Sequence, residues 1–259
     1  MYRKSMLWML TGFLFLYNCS NPGDNKDSGL SESEEMTLVA AVVSTDDGGA
    51  MADVEMASDI AAGTTTTQPV APGMQADGLD TTLTNGWITY NLNVAFYAEN
   101  GTEMPSFITG VTDKIVYNGS LSGSNQKKIQ SLDITLSSHS SLTGTGIKSG
   151  QLILNGEGSN TSGYTISGPR RTLTIQAASS YKLEDVSVDL NNPQSVPASG
   201  TLTGTVAGNY TLDTGSDTQN DSYSFTFTIT FTGDSTVKVT LPSGDQYSLD
   251  LSDGTYTKL

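Results

Sequence analysis

Few residues in this chain could do chemistry. The single histidine stands in Ser137-Ser138-His139-Ser140-Ser141, where a serine beside an imidazole would suit nucleophilic catalysis. A triad needs a carboxylate as well, held in one geometry, and serines around a histidine are expected by chance in so serine-rich a chain. The stretch reads as an exposed polar loop. One imidazole and one thiol fall short of the four ligands of a structural zinc site and of the three protein ligands of a catalytic one. Asp213, Asp217, Asn220 and Asp221 offer oxygens of the kind calcium takes, but their spacing matches no EF-hand loop. A solvated hairpin connection accounts for them, and Asp250 and Asp253 beside Gly254 make a weaker case still. Arg170-Arg171 could clamp a carboxylate, yet neighbours on a strand face opposite sides, so a surface role is expected. No catalytic, cofactor-binding or metal-binding residue is assigned and no cofactor is expected. The chain is not expected to be an enzyme unless paired carboxylates converge in three dimensions.

The lone cysteine, Cys19, closes a stretch that begins with Arg3 and Lys4 and runs through Met6, Leu7, Trp8, Phe13, Leu14, Phe15 and Leu16. Roughly eleven apolar residues cannot span a hydrocarbon core that needs about twenty, so the stretch is expected to be a cleaved secretory signal. No Ala-x-Ala-like triplet stands near its end. Leu16-Tyr17-Asn18-Cys19 resembles instead the lipobox of bacterial lipoproteins, with leucine three residues before the cysteine; Tyr17 and Asn18 occupy positions where that family has small residues. The resemblance implies that residues 1–18 are a lipoprotein signal peptide and that Cys19 becomes the lipid-modified first residue. Two or three acyl chains, at about 0.8 kcal/mol per buried CH₂, anchor a protein without a transmembrane helix. By the sorting rule of enteric lipoproteins, Ser20 after the cysteine implies the outer membrane.

The elements that position these residues follow from composition and period. A net charge of −15 repels polyanions, so nucleic acid is excluded as a partner. Beyond Cys19 there is no cysteine, so the exported part needs a real core rather than disulfides. From Asp27 to Asp113 there is no Lys or Arg, while Glu32, Glu34, Glu35, Asp46, Asp47, Asp53, Glu55, Asp59, Asp77 and Asp80 accumulate. Residues 19–80 read as an acidic, largely disordered tether. Within it, Met36 to Val43 is a short apolar run, and Met51, Val54, Ala57 and Ala61 recur at helical spacing. This gives either a short amphipathic helix packed on the following domain or a loosely ordered stretch.

Over residues 81–259 the period becomes two. Tyr90, Leu92, Val94 and Phe96 alternate with polar neighbours. Tyr223, Phe225, Phe227, Ile229 and Phe231 alternate strictly with Ser and Thr. Val237/Val239/Leu241 and Tyr247/Leu249/Leu251 follow across Gly-containing turns, the pattern of consecutive hairpins. Weaker alternation at Ile115/Tyr117, Leu132/Ile134/Leu136, Leu152/Leu154, Leu173/Ile175/Ala177, Val186/Val188 and Leu202/Val206/Tyr210/Leu212 brings the count to about ten to twelve strands. The expected class is all-β: an antiparallel meander forming a sandwich or barrel-like sheet. Uneven strands and a lipid anchor oppose a transmembrane barrel.

The segment Asn93 to Gly101, Gly144-Thr145-Gly146, and Pro197 to Gly204 look similar to parts of a group of uncharacterised all-β envelope lipoproteins; that resemblance implies no activity. The expected function is a membrane-anchored cell-envelope lipoprotein of structural or binding type, meeting an envelope protein or glycan through a polar Thr/Ser/Asn face. The alternative is a carrier whose β cavity holds a lipid or other hydrophobic ligand, in which case the Tyr223 to Phe231 stripe lines a cavity instead of filling a core.

Overall fold

A computed structural model of the chain describes residues 32–45, 49–63, 78–85, 88–127, 132–167, 172–191 and 196–259. Two helices, α1 (Glu32–Val43) and α2 (Ala50–Ala61), precede twelve strands. These are β1 (Leu79–Asn85), β2 (Ile88–Ala98), β3 (Glu103–Met104), β4 (Thr112–Lys127), β5 (Leu132–Thr145), β6 (Gln151–Ser167), β7 (Thr172–Asp189), β8 (Ser199–Asp213), β9 (Thr218–Thr230), β10 (Thr236–Thr240), β11 (Gln246–Asp250) and β12 (Tyr256–Lys258). All pairings are antiparallel, and the strands follow one another in sequence order, with β3 pairing only to β2. The expected meander is therefore the fold. No pairing among the described residues joins β1 to β9 or β12, so the sheet is open at both ends.

Alternation sorts each strand into two faces. One cross-strand row on the inner face runs Tyr117, Leu142, Gly156, Leu183, Leu202, Ile229, Val239 and Tyr247. Its apolar members are buried in one continuous core. The expected aromatic stripe of β9 belongs to that core: Tyr223, Phe225, Phe227, Ile229 and Phe231 are all buried.

The helices complete this core. Met36, Val39, Val42 and Val43 of α1 and Ala50, Met51, Val54, Ala57, Ile60 and Ala61 of α2 are buried in it. Of the two alternatives for the 51–61 pattern, the helix packed on the following domain is the one found, and the 36–43 run adds a second helix. Both the 36–43 run and the 51–61 pattern are helices, because the sheet offers the apolar surface that a helix of twelve residues needs to be stable. Gly49 makes the turn between them tight: a Cβ there would lie 2.5 Å from the Val42 carbonyl oxygen. The start of α1 is clamped by distant strands. Lys258 Nζ donates to Glu32 Oε2 at 2.6 Å and pairs with Asp245 at 2.9 Å. Tyr247 Oη donates to Glu32 Oε2 at 3.1 Å, and Tyr256 Oη donates to the Ser33 carbonyl. Burial first, and Glu32 second, push the Tyr247 phenol up to about 12. No helix among the described residues is long and apolar enough to cross a membrane.

Candidate functional site

The outer face of the sheet, opposite the helices, carries the first candidate. Register places His139, Ser159, Ser180, Thr205 and Thr226 in one row across β5 to β9. Ser141, Glu157, Lys182, Thr203 and Thr228 form the next row. Neighbours within a row stand one strand spacing apart, about 4.8 Å, and the two rows, two residues apart along each strand, about 6.7 Å. They line a shallow hollow of about 590 Å³. A second hollow of about 610 Å³, lined mainly by threonines with Asp234, Lys238 and Ser248 and also by Val237 and Leu259, lies over β9 to β11. The two share Thr228 and so adjoin as a trough, whose lining is rich in serine and threonine hydroxyls but also includes Phe227, Val237 and Leu259. Each serine or threonine supplies one donor and two acceptor lone pairs. Charge in the first hollow is sparse and mixed: Glu157 and Lys182 line it, and Lys182 donates to Glu184 beyond its edge at 2.5 Å. The Glu184 contacts, with Glu157 as a lesser influence, hold the Lys182 ammonium above its ordinary range.

His139 is thus corrected from a loop to a strand residue, exposed in β5. The Ser137–Ser141 stretch reads as loop because both of its faces are polar. Ser137, His139 and Ser141 face water, whereas Ser140 on the inner face is buried.

Beneath α2 lies a second constellation that the sequence reading passed over. Asp53 is half-buried, with its carboxylate turned onto the sheet. Tyr117 Oη donates to Oδ1 at 2.9 Å and Tyr181 Oη to Oδ2 at 2.5 Å. Ser140 also bonds to it. Loss of water raises the carboxyl above the ordinary aspartate range, outweighing the opposite pull of Tyr181, Tyr117 and Ser140. Desolvation, joined by the Asp53 charge, raises both tyrosines as well. A row of small residues makes room for this cluster: Gly119, Ser140 and Gly158 are register neighbours, and Gly158 pairs with Tyr181. The signal lay in the helix pattern. Asp53 shares its face with Ala50, three residues before, and Ala57, four after. A carboxylate among alanines on a buried stripe implies hydroxyl or cationic partners across the interface.

The other expected sites are not brought together. Asp213 accepts from the Gly215 amide and Asp221 from the Ser222 amide, at the β8–β9 connection and within β9. Asp250 and Asp253 accept amides in the turn before β12. Among the described residues no group of three His, Cys, Asp or Glu could hold a metal ion. Cys19 and Arg170-Arg171 lie outside the described residues.

Compared with protein-family models, curated proteins and solved structures, the chain matches none. What the two constellations can do follows from their own residues. The trough can exchange many neutral hydrogen bonds with a polar ligand. The Asp53 cluster, roofed by α2, can bind or release a proton.

Proposed function

We propose that this chain is a membrane-anchored cell-envelope lipoprotein that acts by binding, without catalysis, and that the outer trough recognises a neutral, hydroxyl-rich glycan. The observation that carries this reading is the trough itself: two adjoining hollows whose linings are rich in serine and threonine hydroxyls interspersed with apolar surface, with few charges of mixed sign. A neutral glycan matches such a floor because its hydroxyls are donors and acceptors alike, and it escapes the repulsion that a net charge of −15 imposes on polyanions. An elongated trough suits an elongated ligand. The lipobox-like Leu16-Tyr17-Asn18-Cys19 supports attachment to the membrane through Cys19 and placement in the bacterial cell envelope, most simply at the outer membrane.

Two measurements test this. The full chain, purified in detergent and passed over an array of envelope polysaccharides, should retain neutral glycans, and Thr205→Lys, which projects a long cation into the first hollow, should weaken retention by about tenfold or more. Equal retention by the variant, or retention of none, would remove the trough from consideration. In cells, Cys19→Ser should move the protein from the membrane to the aqueous fraction; a variant that still sediments with membranes would rule out lipid anchoring at that position.

A further inference from the structure

The contact between α2 and the sheet contains one ionisable group that faces only hydroxyl partners. Asp53 is held by Tyr117 of β4, Tyr181 of β7 and Ser140 of β5. Tyr90 of β2 lies near enough to feel its charge, and His139, on the opposite face of β5, adds the weakest pull. Beneath the helix, β6 presents Gly158. The acids of α1 are Glu32, Glu34 and Glu35, of which Glu32 is committed to Lys258 and Tyr247. Everything else that α2 buries is small or apolar apart from Ser58.

We propose that Asp53 is a pH-sensitive latch, so that the helix pair α1–α2 docks on the sheet most tightly in acid and more loosely once Asp53 carries its charge. A carboxylic acid in this interface loses little on leaving water and can still hydrogen-bond with the hydroxyls around it. A carboxylate in the same place loses its hydration and gains donors but no full counter-charge. The docked carboxyl therefore holds its proton more tightly than it would in water, and its folded value is raised. Docking strength is then fully present below the ordinary aspartate value and is lost as pH rises through the raised one. Because α1 begins at Glu32, thirteen positions beyond Cys19, the latch sits between the expected anchor and the sheet.

Hydrogen exchange on the full chain in detergent micelles, corrected for intrinsic rates and followed from pH 4 to pH 8, tests this. Protection of the α2 amides should fall by up to about tenfold per pH unit above the ordinary aspartate range and then level off. In Asp53→Asn the profile should be flat. If that variant does not fold, Tyr181→Phe supplies the test: removing a donor that favours the ionised form should move the levelling-off point to higher pH. Wild-type protection independent of pH, the same slope in Asp53→Asn, or an unmoved transition in Tyr181→Phe would each overturn the latch.

Discussion

Gly156→Ala should be among the most damaging single substitutions in this protein, lowering stability by about 3 kcal/mol or more. Gly156 sits where β6 and β7 slip register, at φ +152°, and a Cβ built there would lie 2.2 Å from the Ser141 carbonyl oxygen and 2.8 Å from the Leu142 Cα. Both nearest obstacles are backbone of the paired strand, so no side-chain rotation relieves them. Gly158→Ala, two residues on, is the instructive contrast. Its new Cβ would lie 2.3 Å from Cζ and 2.4 Å from Oη of Tyr181, the ring tip that also holds Asp53. That clash belongs to a side chain and should be relieved in the double variant with Tyr181→Leu. Urea denaturation of wild type, Tyr181→Leu, and each glycine variant with and without Tyr181→Leu decides the matter. Gly158→Ala should recover part of its loss when Tyr181 is trimmed, whereas Gly156→Ala should not. Equal midpoints for Gly156→Ala and wild type would mean that the bulge absorbs a methyl group.

Val39→Asp should be comparably severe. Val39 is fully buried in the core shared by α1 and the sheet. An aspartate there removes apolar contact and places a charge among residues with no group arranged to receive it, a loss of about 3 kcal/mol or more. The contrast with Asp53 is the point: a carboxylate is tolerated in this interface where two tyrosines and a serine converge on it, and not one helix away. Circular dichroism and denaturation should show a protein that is unfolded or has lost most of its stability. A near-native midpoint would imply that α1 is held by its clamp to Lys258 rather than by its apolar face.

How much of this could be read from sequence depended on which side of the sheet spoke more clearly. Tyr223 to Phe231, Val237 to Leu241 and Tyr247 to Leu251 announced β9, β10 and β11 because every second residue is large and apolar and every turn contains glycine. β5 was hidden between Leu136 and Leu142, where Ser138 and Ser140 occupy inner positions that apolar residues would normally fill. The second of these is polar because the Asp53 carboxylate lies above Ser140. The same partnership hid the site: Asp53 looked like one more acid in an acidic region, and its hydroxyl partners come from strands 64 and 128 positions away. Separations of that size leave no local pattern. The trough was legible as a polar face but not as a hollow, since concavity comes from the twist of the assembled sheet.

The clamp at the start of α1 bears on the order in which this chain assembles. Each strand from β4 to β9 pairs with its immediate successor, so the meander can zip up from local hairpins in the microsecond regime of hairpin formation. Glu32 and Lys258, in contrast, are 226 positions apart, and the hydroxyls of Ser33 and Thr37 wait for Tyr256 across nearly the same distance. Loop closure over such a span is entropically the most demanding event in the molecule. As the chain is synthesised, the helices that emerge first would have to wait for the strands that emerge last, and for that interval the inner face of the growing sheet would have only a provisional cover. The exposed inner face is most open to misassembly in that interval, before Lys258 of β12 closes on Glu32.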